Sequence, residues 1–221
     1  MASIVFDLDG TLVDSVPDIH AAVAQMLADH KLPSMDRAQV RSFVGHGVPA
    51  LIAQVMAARG EDPADAARHA QLEASFLRHY NAAPAARSQL FPSVRDALCR
   101  LSGAGHALGV CTNKPVQPAR AILDHFGLSA LLPVVIGGDT LPLRKPDPAP
   151  LLAAARALAS GRVIYVGDSE VDAQTAARAA VPLLLFTQGY RKAAIDTLVH
   201  AAAFDHFDDL PDLVGRHLGV T

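Results

Sequence analysis

The sequence predicts an α/β fold: a doubly wound, Rossmann-like parallel sheet with an inserted, all-helical cap domain. Two patterns lead to this prediction. Short apolar runs alternate with amphipathic helical segments, and one long interval replaces that alternation with helical patterns alone. The composition suits a folded protein with a proper core, because 51% of the 221 residues are hydrophobic and the net charge is only −3.

Five apolar runs have the length of buried strands. They are continuous rather than alternating, which is typical of parallel strands that are covered on both faces. The predicted strands are residues 3–7, 106–111, 133–137, 162–167 and 182–186.

Helical patterns fill the gaps between these strands. Within PVQPARAILDHFG, Ile122, Leu123 and Phe126 share one face, and Gly127 follows as a helix-terminating residue. Similar patterns occur in SVRDALCRLSG, DPAPLLAAARALASG and SEVDAQTAARAAV. Strand and helix therefore alternate with short connections, as in a doubly wound fold.

The long interval contains no convincing strand. Its apolar residues recur at helical spacing, and prolines at positions 84 and 92 mark its return to the sheet. We therefore assign residues 15–86 to a helical cap domain, and residues 1–14 and 87–221 to the α/β core domain.

Charge and hydropathy exclude several classes of function. With 19 basic and 22 acidic residues, the chain offers no electrostatic reason to bind nucleic acid. No apolar run reaches the roughly 18 residues that span a bilayer, and no signal-peptide pattern is visible, so we expect a cytoplasmic protein without a membrane partner. Cys99 and Cys111 are predicted to be buried, reduced thiols. The oligomeric state is not predicted.

Polar side chains follow four of the predicted strands. Ligands of open α/β sheets bind beyond the carboxyl ends of the strands, so these side chains should meet at one rim. Acids, a hydroxyl group and a lysine together predict a phosphoryl-transfer site. The side chains concerned are Asp7, Asp9, Thr112, Asn113, Lys114, Lys145, Asp168 and Asp172.

Four motifs in this part of the chain resemble those of the haloacid dehalogenase superfamily, in particular its aspartate-nucleophile phosphatases. They are DLDGTLVDS, VCTNK, RKPDP and VGDSEVD, in the family's order, and the helical insertion occupies the family's cap position. The stretch GGDTLPLRKPDPAPLL, with VGHGVPALI in the insertion, is similar to the phosphoglycolate phosphatase branch. The resemblance implies a Mg²⁺-dependent phosphomonoesterase that hydrolyses a small acidic phosphate ester, most simply 2-phosphoglycolate.

The resemblance also implies roles for the acids. Asp7 would attack phosphorus to form an aspartyl phosphate, and Asp9 would serve as general acid and then general base. Mg²⁺ prefers oxygen ligands. The carboxylates of Asp7 and Asp168 and the backbone carbonyl of Asp9 would supply them, while Asp172 would bind metal-bound waters or orient Lys145.

The other rim residues would stabilise the reacting group. Thr112 would donate a hydrogen bond to a phosphoryl oxygen, and Asn113 would hold that loop or the substrate. Lys145 would neutralise negative charge on the nucleophile and the phosphoryl group. Taken alone, a threonine in a turn or a lysine before proline is ordinary, and the prediction depends on the four motifs together.

Two residues of the predicted cap are candidate substrate ligands. Arg41 and His46 could contact the substrate's carboxylate, and the glycines on either side of His46 would let that loop enter a site. An equally simple interpretation places Arg41 on a solvated helix face and His46 in an ordinary loop.

Several alternatives stay open at this point. The chain could be a phosphatase or a mutase for another small sugar phosphate. A haloacid dehalogenase would not need the second acid at Asp9, and a phosphonate hydrolase would need a Schiff-base lysine in the cap, where the sequence offers only Lys31. A phosphoaspartate signalling receiver without turnover belongs to a different class, but it would be shorter and would lack the cap.

Overall fold

The computed structural model describes residues 1–159 and 161–219. The chain forms two compact units. One unit combines Met1–Asp14 with the chain from Leu90 onward, and the other is Ser15–Gln89.

The first unit is built on a parallel sheet. Six strands lie in the order β5-β4-β1-β6-β7-β8, and every neighbouring pair is parallel, which confirms the predicted fold class. Strands β2 and β3 form a separate two-stranded sheet. In chain order the described strands are β1 (Ser3–Phe6), β2 (Val13–Asp14), β3 (Gln89–Leu90), β4 (Ala107–Cys111), β5 (Val134–Ile136), β6 (Val163–Gly167), β7 (Leu183–Phe186) and β8 (Ala202–Phe204).

Helices connect the strands and make up most of the second unit. None of the described helices combines the length and the apolar character that crossing a bilayer requires. In chain order they are α1 (Val16–Asp29), α2 (Arg37–Arg41), α3 (Val48–Ala58), α4 (Ala66–Ala82), α5 (Val94–Gly103), α6 (Val116–His125), α7 (Ala149–Leu158), α8 (Glu170–Ala179) and α9 (Leu210–Leu218), with 3₁₀ turns at Ile195–Thr197 and Phe207–Asp209.

The central strand of the sheet is buried. All four residues of β1 are buried, as expected for a continuous apolar run between two helical layers. On one face, an apolar cluster joins the sheet to α7 and α8 through Val5, Tyr165, Leu151 and Ala176. The five predicted strands match β1, β4, β5, β6 and β7, with ends that differ by one residue at most.

The second unit has its own core. Buried residues of α1, α3 and α4, among them Met26, Ile52 and Phe76, form one apolar cluster. Its boundary falls after Gln89 rather than after residue 86. The reason is local: the carboxylate of Asp18 in α1 accepts hydrogen bonds from the backbone amides of Arg87 and Ser88 and from the Ser88 hydroxyl, so these residues pack with the helices.

The prediction that both cysteines are buried is correct for Cys111 and wrong for Cys99. Both are free thiols, and Cys111 is buried in β4, but Cys99 is exposed. Helix α5 buries Val94, Leu98 and Leu101 on one face. Cys99 follows Leu98 by one position, a rotation of about 100° that takes it off this face.

Candidate active site

The site lies at the carboxyl end of the three central strands. Phe6 at the end of β1 is in register with Val110 on β4 and with Val166 on β6. β1 ends at this position, and β4 and β6 end one residue later, so Asp7, Thr112 and Asp168 emerge at one edge. The parallel register therefore brings together side chains that are more than 50 residues apart in sequence.

A tight turn after β1 shapes the floor of the site. Gly10 has φ +88, and a Cβ atom there would lie 2.6 Å from Oδ2 of Asp168, so only glycine fits without strain. The next residue, Thr11, is buried and donates its hydroxyl proton to Oδ1 of Asp168 at 2.7 Å. The backbone amide of Tyr190 donates to Oδ2 of the same carboxylate at 2.6 Å. Asp168 is thus held in one orientation from two sides.

Three buried carboxylates meet at this edge. Asp7, Asp168 and Asp172 each place an oxygen within 4.8 Å of the others, and their relative exposures are 7%, 1% and 0%. Lys145 lies among them: its Nζ is 2.9 Å from Oδ1 of Asp7 and 2.7 Å from Oδ1 of Asp172. The Tyr165 hydroxyl lies 2.9 Å from the same Nζ.

The pKa values show that ionising all three acids of this cluster is costly, although one lysine lies among them. Burial raises the pKa of Asp7 to about 7, although Lys145 opposes the change. Burial, reinforced by the charges of Asp172 and Asp7, also raises the pKa of Asp168 well above its usual range. Burial alone would lower the pKa of Lys145, but Asp172 and Asp7 hold it above its ordinary value. Lys145 is therefore a permanent cation.

Asp172 is the exception among the three acids. Burial would raise its pKa, but the charge and hydrogen bond of Lys145 and the hydrogen bonds of Ser169 and Tyr165 hold it below the ordinary value. Its Oδ1 accepts from Lys145 and Tyr165, and its Oδ2 accepts from Ser169 and from the backbone amide of Asp168. Each oxygen of Asp172 accepts at least two hydrogen bonds, whereas the contacts described give each oxygen of Asp168 one, so Asp172 suits the predicted supporting role better than a direct metal bond.

Asp7 and Asp168 fit a divalent cation. They supply hard oxygen donors within a buried group of three carboxyl side chains, and oxygen is the donor type that Mg²⁺ takes. Oδ1 of Asp7 has no well-aligned hydrogen bond within the described part of the chain, although Nζ of Lys145 is close. A cation near Asp7 and Asp168 would offset the cost of burying two charges side by side.

The loop after β4 carries two further predicted residues. Thr112 is buried, and its Oγ1 accepts a hydrogen bond from the backbone amide of Lys114 at 3.2 Å. Nδ2 of Asn113 donates to the backbone carbonyl of Lys145 at 2.9 Å, which joins the β4 loop to the segment that carries the lysine. The predicted loop-holding role of Asn113 has this geometric counterpart.

Asp9 has a partner that the sequence analysis did not assign. Nζ of Lys114 lies 2.8 and 2.9 Å from the two carboxylate oxygens of Asp9. Two tyrosines without a predicted role also contact acids of this region: the Tyr190 hydroxyl donates to Asp14, and the Tyr165 hydroxyl donates to Asp172. Lys114 lies inside the VCTNK motif, so the sequence could have indicated that it belongs to the site. Nothing in the sequence around Tyr190 points to the site.

The two predicted specificity residues belong to the helical unit. Arg41 is the last residue of α2 and is exposed; His46 is exposed in the loop before α3. Gly45 and Gly47 on either side of His46 have φ of +126 and +85, so that loop uses backbone conformations that other residues rarely adopt. Their contact with substrate stays a prediction.

Thr11→Val is expected to weaken Mg²⁺ binding about 10-fold. The substitution removes the hydroxyl that orients Asp168, and loss of such supporting groups costs 10- to 100-fold in metal affinity in other proteins. The Mg²⁺ dependence of the melting temperature measures the affinity without an activity assay. Thr175→Val is a matched control, because that buried hydroxyl bonds only the carbonyl of Val171 among the contacts described. Equal effects of the two substitutions would contradict the role of Thr11.

Comparison with known proteins identifies the family. The family described as haloacid dehalogenase-like hydrolase matches residues 4–186. A phosphoglycolate phosphatase of Cereibacter sphaeroides (strain ATCC 17025 / ATH 2.4.3) is 51% identical over 218 residues, which is 99% of either chain. One from Rhodospirillum rubrum is 42% identical and aligns with 96% of this chain and 90% of its own.

A solved structure agrees with these relatives. A protein of Haemophilus somnus 129PT, described as a predicted phosphoglycolate phosphatase, superposes with a TM-score of 0.90 at 29% identity and covers 97% of this chain and 98% of its own. The resemblance predicted from the four motifs is thereby confirmed. The chain belongs to the haloacid dehalogenase-like hydrolase family.

Proposed function

We propose that this protein is a Mg²⁺-dependent phosphomonoesterase that hydrolyses 2-phosphoglycolate to glycolate and phosphate through an aspartyl phosphate on Asp7. One observation carries the proposal: a carboxylate at the end of the central strand is buried against Lys145 and lies beside Asp168. The names of the relatives that align over at least 90% of their own length support the choice of substrate.

The first half-reaction transfers the phosphoryl group to the protein. An oxygen of Asp7 forms a bond to phosphorus while the bond from phosphorus to the glycolate oxygen breaks. Asp9 donates a proton to that departing oxygen, so glycolate leaves as an alcohol. Lys145 and the Thr112 hydroxyl would stabilise charge on the phosphoryl oxygens.

The second half-reaction returns the protein to its starting state. Asp9, now ionised, accepts a proton from water as the water oxygen bonds to phosphorus. The bond between phosphorus and the Asp7 oxygen breaks, and inorganic phosphate is released. One proton leaves Asp9 and one returns, so the two steps balance. Mg²⁺, held by the carboxylates of Asp7 and Asp168 and the carbonyl of Asp9, would supply charge neutralisation for an anionic nucleophile and an anionic substrate.

A panel of phosphate esters tests the proposal. Phosphate release is measured for 2-phosphoglycolate, small sugar phosphates and p-nitrophenyl phosphate, with Mg²⁺ and with EDTA. We expect the highest kcat/KM for 2-phosphoglycolate and loss of activity in EDTA. A higher kcat/KM for a sugar phosphate would indicate that the sugar phosphate, and not 2-phosphoglycolate, is the substrate. Isomerisation without phosphate release would indicate a mutase, and a lasting phosphoaspartate without turnover would indicate a receiver.

Arg41→Ala is expected to raise KM for 2-phosphoglycolate about 10-fold and to change KM for p-nitrophenyl phosphate less than about 2-fold. The reason is that a guanidinium group binds a carboxylate strongly, and only the first substrate has one. Arg37→Ala is the matched control, since Arg37 is also an exposed arginine of α2. An equal rise in KM for both substrates would remove Arg41 from carboxylate recognition.

A further inference from the structure

The ion pair between Lys114 and Asp9 is the feature of the site that the proposed chemistry leaves unexplained. Nζ of Lys114 contacts both oxygens of Asp9, at 2.8 and 2.9 Å. The side chains are 5% and 13% exposed, so this is a largely buried pair and not one of the surface ion pairs that contribute little. The two residues are 105 positions apart in sequence.

The backbone of Lys114 is fixed on both sides. Its amide donates to Oγ1 of Thr112 at 3.2 Å, and its carbonyl accepts from the amide of Gly138 at 2.8 Å. Helix α6 begins two residues later, where Oδ1 of Asp139 accepts from the backbone amide of Val116 at 2.7 Å. Lys114 therefore projects from a segment that cannot shift without breaking several hydrogen bonds.

The glycine pair after β5 makes this anchoring possible. A Cβ atom at Gly137 would lie 2.9 Å from the carbonyl oxygen of Lys114, and one at Gly138 would overlap the backbone of Asn113. Only glycine allows the two loops to approach so closely. The GGD sequence at residues 137–139 thus has a structural explanation: it buttresses the loop that carries Lys114.

We propose that Lys114 is a positioning residue that fixes the carboxyl group of Asp9 for proton transfer. An ammonium group in contact with both oxygens restricts the rotation of the Asp9 side chain. When one oxygen carries the proton, the other can still accept a hydrogen bond from the ammonium group. Small misplacement of a catalytic group costs much of its effect, so a rigid partner contributes to the rate without touching the substrate. This inference rests on the proposed phosphatase chemistry, in which Asp9 transfers the proton.

The leaving group provides a test that a merely structural role would not pass. Glycolate needs a proton as it departs, whereas p-nitrophenolate is a stable anion and does not. The value of kcat/KM reports on the steps up to departure of the alcohol. We expect Lys114→Met to lower kcat/KM about 10- to 100-fold for 2-phosphoglycolate and less than about 3-fold for p-nitrophenyl phosphate. The ratio of the two values does not depend on the fraction of enzyme that is folded.

Asp9→Asn and the double variant complete the experiment. Asp9→Asn should show the same selective loss, larger in size, and adding Lys114→Met to it should cause no further loss because the group being positioned is gone. Lys192→Met is the control for removing one positive charge, since Lys192 is an exposed lysine of the same unit. It should leave both values within about 2-fold.

The possible failures are distinguishable. If Asp9→Asn lowers kcat/KM equally for both substrates, Asp9 is not the acid and the proposed mechanism fails. If Asp9→Asn is selective but Lys114→Met is not, the positioning role is overturned, and Lys114 instead binds the phosphoryl group common to both substrates. Additive losses in the double variant would also overturn it.

Discussion

Asp7→Asn is expected to lower kcat by at least about 10⁴-fold while the protein remains folded. An amide oxygen is a poor nucleophile, and removing the nucleophile of an enzyme with a covalent intermediate typically abolishes nearly all of the rate enhancement. The substitution preserves the shape of the side chain. Lys145 keeps its contact with Asp172, so no buried charge is stranded.

The same variant should be more stable than the wild type at pH 8 in the absence of metal. Burial raises the pKa of Asp7 to about 7, against the opposing effect of Lys145. A carboxyl group whose pKa is higher in the folded state than in the unfolded state lowers the free energy of unfolding once the pH is high enough to ionise it in the unfolded state. This penalty begins near the unfolded pKa of about 4, grows until the folded pKa and then stays constant. Asparagine carries no such penalty, so we expect a gain of about 1–3 kcal/mol.

Urea unfolding in EDTA at pH 5 and pH 8 measures this gain, which should be smaller at pH 5. Asp205→Asn serves as the control, because Asp205 is an exposed aspartate of the same unit. The expected combination is an inactive and stabilised protein. A purified Asp7→Asn variant that turns over at a near-normal rate would remove the nucleophile assignment, whereas a variant less stable than the wild type at pH 8 would contradict the desolvation of Asp7.

The sequence predicted the residues that directly follow the strands. Asp7, Thr112 and Asp168 each come one position after an apolar run. The parallel register makes them neighbours, and this does not depend on the paths of the loops. Lys145 lies nine residues after the end of β5, so its prediction depended on the RKPDP motif. The prediction that Asp172 orients Lys145 has a counterpart in their contact at 2.7 Å, and its role in the reaction stays a prediction.

Contacts made by the ends of long side chains could not be predicted in the same way. Lys114 reaches Asp9, and Tyr190 reaches Asp14, across loops whose paths no local pattern specifies. Strand β8 was missed for another reason: it has three residues, two of them alanine, a residue with low strand propensity. It forms because β7 offers an edge and Phe204 packs against Phe186 and Phe207.

Lys145→Met is expected to lower kcat by about 10³-fold and to destabilise the protein by about 3–5 kcal/mol. The activity is lost because a cation that is fixed beside the nucleophile disappears, as when other preorganised charges are removed. The stability is lost because Asp7 and Asp172 each lose the charge that faces them. Breaking a buried ion pair on one side costs this much in other proteins.

A second substitution separates the two effects. In Lys145→Met/Asp172→Asn, the stranded carboxylate becomes neutral. The amide oxygen can keep the hydrogen bonds from Ser169 and from the backbone amide of Asp168, and the amide nitrogen can donate to the Tyr165 hydroxyl. That hydroxyl still has the carbonyl of Cys111 as an acceptor. We expect the double variant to recover at least half of the lost free energy of unfolding.

Activity should not recover with stability, and this difference tests the role of Lys145. Asp172→Asn neutralises the partner, but it puts no positive charge beside Asp7. Urea unfolding in EDTA and kcat for 2-phosphoglycolate, measured on both variants, give the comparison. If kcat rises in parallel with the free energy of unfolding, Lys145 acts only by compensating buried acids. If stability returns while kcat stays about 10³-fold low, Lys145 contributes to the reaction and not only to the compensation of buried acids.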